Sequence, residues 1–222
     1  MFAPLLAAGT RAFAPEVLPY PSDRPLGYDG LEAHVRAALP AAPFALVAES
    51  FSGPLAIRIA ARPPPGLAAV VLVATFLHRP VAPALGALAA LAGPRLFGHP
   101  PPRALIRRFL SGPDAPPEIV EAVRSAVAEL RPDVAARRAA EGLRTDVRDA
   151  LGESRVPLLA ILPTRDRLLR RGGLAEELRA RRPDAEIAEI DGPHLILQRQ
   201  PHACLARIEP FLAARASAAT GG

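Results

Sequence analysis

Three short stretches of this chain, FALVAE at 44–49, AAVVLVAT at 68–75 and VPLLAILPT at 156–164, are apolar at nearly every position rather than at alternate ones. A strand with one face in water alternates polar and apolar side chains, so runs without alternation need cover on both faces. Helical spacing separates the runs, around residues 31–39, 53–61 and 172–182. The combination predicts an α/β fold: a mostly parallel sheet with helices on both faces. EVLPY at 16–20 and AEIAEI at 185–190 are expected to add strands, and residues 195–216 a closing helix that Pro201 kinks or restarts.

Between residues 80 and 155 the strand signal stops. Ile119, Val120, Val123, Val127 and Leu130 recur at helical spacing, and Leu143, Val147 and Leu151 continue a similar stripe. Either these stripes simply pack on the sheet domain or the insertion forms a lid. The lid reading is favoured, because the insertion follows a strand and ligand crevices in open α/β sheets lie at the carboxyl ends of strands. The expected organisation is a core of residues 1–79 and 156–216, a helical cap at 80–155, and a disordered tail at 217–222.

At 222 residues, half of them hydrophobic, the chain can bury one sizeable core without a second domain. All 27 basic residues are Arg, which points to compositional bias and weakens any functional reading of a given arginine. The net charge of +5 and the doublets Arg107-Arg108, Arg137-Arg138, Arg170-Arg171 and Arg181-Arg182 suit an anionic partner in principle, an acyl carrier included. The doublets are interleaved with acids, however, and aromatic residues make up only 5%, which argues against nucleic acid. Cys204 is the single cysteine, so thiols build neither an internal disulfide nor a metal framework, and a buried structural thiol is expected. The first residues lack a basic region ahead of their apolar patch, and the uncharged stretch at 81–94 is too short to cross about 30 Å of hydrocarbon. A soluble, cytoplasmic protein without a membrane span is expected, of undetermined oligomeric state.

The apolar run at 44–49 changes character abruptly at Glu49-Ser50 and leads straight into a helix, FSGPLAIRIA. Ala48 and Ser52 place small side chains two positions either side of Ser50, with Gly53 next. A strand-to-helix turn this tight strains the serine backbone and leaves no room for bulk at those positions, the signature of a nucleophile elbow. A serine capping an ordinary helix is the plainer reading of the same letters. Ser52 is the rival nucleophile, but it lies one step further into the helix.

A serine hydroxyl needs a general base, and the base an orienting group. Of the five histidines, His34 falls in a helical pattern, His78 and His99 lie near prolines at the insertion, and His202 follows Pro201. His194 alone emerges from a Gly-Pro loop directly after a strand, at the rim where Ser50 is expected. Asp166 follows the preceding strand at the same rim and can hold one imidazole nitrogen. Asp191 is closer to His194 in sequence but suits an Asp-Gly turn, while Asp146 and Asp149 belong to the insertion.

The order Ser50, Asp166, His194, each in a loop after a strand, makes the chain resemble the α/β-hydrolase superfamily over most of its length. LVAESFSGPLAIRIA, VVLVATF and GPHLILQRQP resemble the elbow, the strand that follows it and the histidine loop of its bacterial members. Both glycines of the usual G-x-S-x-G are replaced by the next smallest residues. The resemblance implies a serine hydrolase of esters or thioesters, working without metal or organic cofactor on a small-molecule substrate with an apolar acyl group. Phe51 would give one backbone N–H to the oxyanion hole. MFAPLLAAG resembles the helix that follows the superfamily's oxyanion loop, so a further strand and that loop are expected ahead of Met1, or the chain is a shortened, impaired member. In the superfamily's sheet that strand lies between those matching EVLPY and FALVAE. An acyltransferase on the same triad and a non-catalytic binding protein are the alternatives.

Overall fold

The computed structural model describes residues 1–10, 13–80, 97–169 and 173–220, with the backbone alone at 216–220. Among these residues the strands β1 (Phe44–Glu49), β2 (Leu67–Val73), β3 (Leu158–Pro163) and β4 (Glu186–Ile190) form one sheet in the order β1-β2-β3-β4, every neighbouring pair parallel. Parallel neighbours put all four carboxyl ends on one rim, so any loop leaving a strand there meets the others.

The helices are α1 (Ala3–Ala8), α2 (Tyr28–Ala38), α3 (Ser52–Ala61), α4 (Arg103–Ile106) running into a π-helical turn at Arg107–Ser111, α5 (Pro117–Ala128), α6 (Pro132–Arg144), α7 (Arg148–Glu153), α8 (Leu174–Arg181), α9 (Ile196–Arg199) and α10 (Pro201–Thr220). Ala69, Val70, Val71, Leu72 and Val73 of β2 are at most 1% exposed, which is why this run is apolar throughout. Val70 and Leu72 meet Ala56, Ile57 and Ala60 of α3 on one face. Ala69, Val71 and Val73 meet Cys204, Ile208 and Phe211 of α10 on the other. Each large aliphatic side chain so buried contributes about 1.5–3 kcal/mol.

Three expectations change. Residues 16–20 join no strand; Pro15, Pro19 and Pro21 remove the N–H donors a ladder needs there. The stripe at 143, 147 and 151 is not one helix: α6 ends at Arg144, His78 bridges Asp146, Val147 N–H donates to Leu77 O at 2.8 Å, and α7 begins at Arg148. Val147 and Leu151 then enter the core beside α3, so the end of the insertion belongs to the helix layer of the sheet. Finally, α10 carries its helix to Thr220, into the segment expected as a tail, whose last two residues lie outside the described residues; this fits the high helix propensity of an alanine-rich sequence. Pro201 restarts the closing helix, as a proline at a first helical position can.

The uncharged stretch at 81–94 and the doublet Arg170-Arg171 lie outside the described residues. Among the described residues no helix is long and apolar enough to cross a membrane.

Candidate active site

With β1 ending at Glu49 and α3 beginning at Ser52, two residues turn the chain. Ser50 takes φ +53°, a left-handed conformation that costs a non-glycine residue about 1–3 kcal/mol. Hydrogen bonds hold it there: Ser50 N–H donates to Val73 O at 2.9 Å, while Gly53 N–H at 3.0 Å and the Thr75 hydroxyl at 2.7 Å donate to Ser50 O. The small neighbours have separate causes. A Cβ on Gly53 would stand 1.9 Å from Thr75 Oγ1, and Ala48 is packed in the layer beneath α3. The Ser52 hydroxyl accepts from Tyr20 Oη at 2.9 Å.

The structure brings the three expected side chains together. His194 Nε2 lies 2.8 Å from Ser50 Oγ, and its Nδ1 lies 2.7 Å from Asp166 Oδ2. A carboxylate only accepts, so Nδ1 carries the ring proton and Nε2 is free to accept the serine proton. Asp166 Oδ1 accepts from Leu168 N–H at 2.8 Å and Leu169 N–H at 3.0 Å, which fixes the carboxylate. Arg165 N–H donates to Gly192 O at 2.9 Å, tying the acid loop to the histidine loop, and Leu195 N–H donates to Leu110 O at 3.0 Å, tying that loop to the insertion. His194 is 2% exposed and Asp166 7%, so the pair works largely out of water.

The remaining candidates have other places. His34 meets Pro19 O, and His78 pairs with Glu177 at 3.0 Å. His99 and His202 are exposed. Asp191 pairs with Arg165 and Thr164, and Asp146 with Arg148. Ser52 is engaged by Tyr20, not by an imidazole.

An aromatic support beside the elbow was not legible in the sequence. The Phe51 ring stacks on Tyr28 at 4.8 Å and meets Tyr20 edge-on at 6.4 Å. The Tyr28 hydroxyl donates to Phe51 O at 2.9 Å. Burial holds the Tyr28 phenol well above its ordinary range and raises that of Tyr20, so both remain donors at neutral pH. Arg138 of α6 lies 5.5 Å over the Tyr20 ring, so residues 16–20 serve the site although they form no strand.

Two clefts of about 570 Å³ open on the described surface. One lies beside Asp166, among Thr75, Phe76, Leu77, Leu169 and Leu174. The other lies among Tyr28, Arg58, Arg62, Glu141 and Arg144, with none of the three catalytic candidates in its wall. The first touches the hydrogen-bonded relay at Asp166, with neither Ser50 nor His194 in its wall. Among the described residues no group of three or more His, Cys, Asp or Glu side chains is placed to hold a metal ion. Burial pushes the Cys204 thiol up to about 12, as befits a packed thiol.

No family model and no curated protein matches the chain by sequence. Solved structures do. The chain is similar to the enol-lactonase of Burkholderia xenovorans LB400, with 19% identity, 85% of this chain and 74% of that one covered, and a TM-score of 0.70. It is similar to a bromoperoxidase of Bacillus anthracis, with 16% identity, 91% and 79% covered, and a TM-score of 0.71. It is also similar to a thermophilic esterase of Thermogutta terrifontis, with 23% identity, 83% and 69% covered, and a TM-score of 0.66. The parallel sheet, its helix layers and these likenesses establish that the chain has the α/β-hydrolase fold.

Proposed function

We propose that the protein is a serine hydrolase that cleaves a carboxylic ester or thioester through an acyl-enzyme. The observation that carries this reading is the unbroken run Ser50 Oγ, His194 Nε2, His194 Nδ1, Asp166 Oδ2, with contacts of 2.8 and 2.7 Å across three separate loops. The esterase and lactonase among its structural neighbours support the reaction class.

Ser50 Oγ attacks the substrate carbonyl as His194 Nε2 takes the hydroxyl proton. The negative charge passes to the carbonyl oxygen. Phe51 N–H, at a helix start where the intrahelical ladder uses no donor, stabilises that oxygen together with the α3 dipole. Collapse of the tetrahedral intermediate breaks the bond to the alcohol or thiol, which leaves with the proton from His194. Water then attacks the acyl-enzyme with His194 again as base, releasing the carboxylic acid and restoring Ser50. Asp166 keeps the ring in the productive tautomer and stabilises the imidazolium. The cleft beside Asp166 is the proposed substrate side, and the insertion at 80–155 the proposed cap, less the α7 end that packs into the core and with residues 81–96 outside the described residues.

A fluorophosphonate probe tests the reading. Stoichiometric labelling is expected, lost by at least about 10³-fold in rate in Ser50→Ala and retained in Ser52→Ala. A folded wild-type protein that takes no label would refute it.

A further inference from the structure

Behind the elbow, on the residue immediately before Ser50, lies a half-buried glutamate whose carboxyl the relay does not use. Glu49 Oε2 accepts a 2.9 Å hydrogen bond from Gln198 Nε2. Glu49 Oε1 and Gln198 Oε1 are both buried without a hydrogen-bond partner. Each of the two side chains thus keeps one acceptor oxygen without a hydrogen bond, and the pair lacks one donor. A proton on Glu49 Oε1 supplies it: a carboxylic acid and a primary amide complement each other through two parallel bonds, one N–H···O and one O–H···O. Buried polar oxygens seldom remain unsatisfied, which favours the protonated form.

The position gives this pair a consequence. Glu49 ends β1 one residue before the strained serine, and Gln198 stands in α9, four residues beyond His194. The contact therefore joins the strand and the helix that flank the two loops whose side chains meet at 2.8 Å. We propose that Glu49 and Gln198 are positioning residues, a neutral acid–amide latch that clamps the elbow to the histidine helix and so holds Ser50 Oγ against His194 Nε2. This role rests on the hydrolase reading of Ser50 and adds to it.

The surroundings agree with a neutral acid. Burial raises the Glu49 carboxyl above its ordinary range, against the weaker opposing pull of Gln198, the His194 ring, the Leu197 N–H and the N-terminal amino group. Cys204, from α10, lies within electrostatic reach of the same carboxyl, its thiol donating to Ile196 O, and is itself held protonated by burial. The latch is closed when Glu49 carries its proton and opens when it ionises. The unfolded chain ionises Glu49 in the ordinary glutamate range and the folded chain at higher pH. Its stabilising contribution is therefore complete below the unfolded value and is lost as pH rises through the folded one.

The experiment compares wild type, Glu49→Gln, Glu49→Leu and Gln198→Leu in the intact chain. Fluorophosphonate labelling rate is followed against pH, together with a ¹³C-carboxyl NMR titration of Glu49 assigned by its loss in Glu49→Gln. The amide of Glu49→Gln can reproduce both bonds, so this variant should label within about threefold of wild type, while either Leu variant slows labelling by about tenfold or more, as small misplacements of reacting groups do. Wild-type labelling should fall as Glu49 ionises, and Glu49→Gln should lack that fall. The acid limb of the pH profile should be unmoved in Glu49→Gln because a neutral acid carries no charge to remove.

The latch is overturned by a Glu49 carboxyl already ionised throughout the neutral range, by a Glu49→Gln variant as slow as Glu49→Leu, or by an acid limb displaced in Glu49→Gln. Leu variants that lose stability but label at the wild-type rate would reduce the pair to packing and also overturn it. No labelling of folded wild type would instead refute the hydrolase reading, while the NMR titration still decides whether the pair holds a proton.

Discussion

The acid loop and the end of β1 each bring a carboxyl group within electrostatic reach of His194, and they hold it in opposite ways. Asp166 meets two backbone N–H groups on one oxygen and the imidazole on the other. Glu49 meets the Gln198 amide on one oxygen, with the Leu197 N–H also drawing on the carboxyl, while its other oxygen is buried without a hydrogen-bond partner. A carboxyl surrounded by donors can keep its charge in a low-dielectric interior, and one deprived of them is better kept neutral. Nearness to the imidazole therefore does not assign a role; the number of donors around each oxygen does.

The sharpest way to break this contrast is to make the same chemical change at both places. Asp166→Asn turns a proton acceptor into an amide that favours the wrong histidine tautomer, with an expected loss of about 10³–10⁴-fold in labelling rate. The matching Glu49→Gln change should stay within the small factor given above. Equal losses at the two positions would erase the distinction. A second change leaves both carboxyls in place and disturbs the turn between them. Gly53→Ala drives a methyl into Thr75, whose hydroxyl holds Ser50 O. Destabilisation of about 1–3 kcal/mol is expected, seen as a lowered Tm in thermal unfolding, with slower labelling. An unchanged Tm would mean that the elbow is not held from the Thr75 side.

The smallest effect is expected at Asp191, the carboxyl nearest His194 in sequence. Its bonds to Arg165 and Thr164 lie at the surface, and its side chain is 73% exposed. Asp191→Asn should cost less than about 1 kcal/mol in chemical unfolding and leave labelling untouched. A large loss of activity there would show that a third carboxyl takes part.

What the sequence could disclose follows from how local each signal is. Ser50, Asp166 and His194 were legible because each follows a run that must be a strand, and the elbow writes its steric demand into Ala48, Ser52 and Gly53. No strand forms at 16–20 because its prolines deny it ladder donors, whatever its apolar content. The aromatic support and the approach of Thr75 to Gly53 depend on contacts between distant segments, for which adjacent letters carry no period. Glu49 did give one usable sign, a charged residue ending an otherwise apolar strand. Its partner lies 149 residues away, so the sign could not say what would satisfy it.

The central claim is that Ser50 carries the acyl group during turnover, and the most direct measurement is to trap that group. Rapid acid quenching of the protein during hydrolysis of a chromogenic ester, followed by peptide mapping with mass spectrometry, should place one acyl group per chain on the Ser50 residue and none on Ser52. Turnover of the ester with no acylated serine, or with the label on any other residue, would contradict the account.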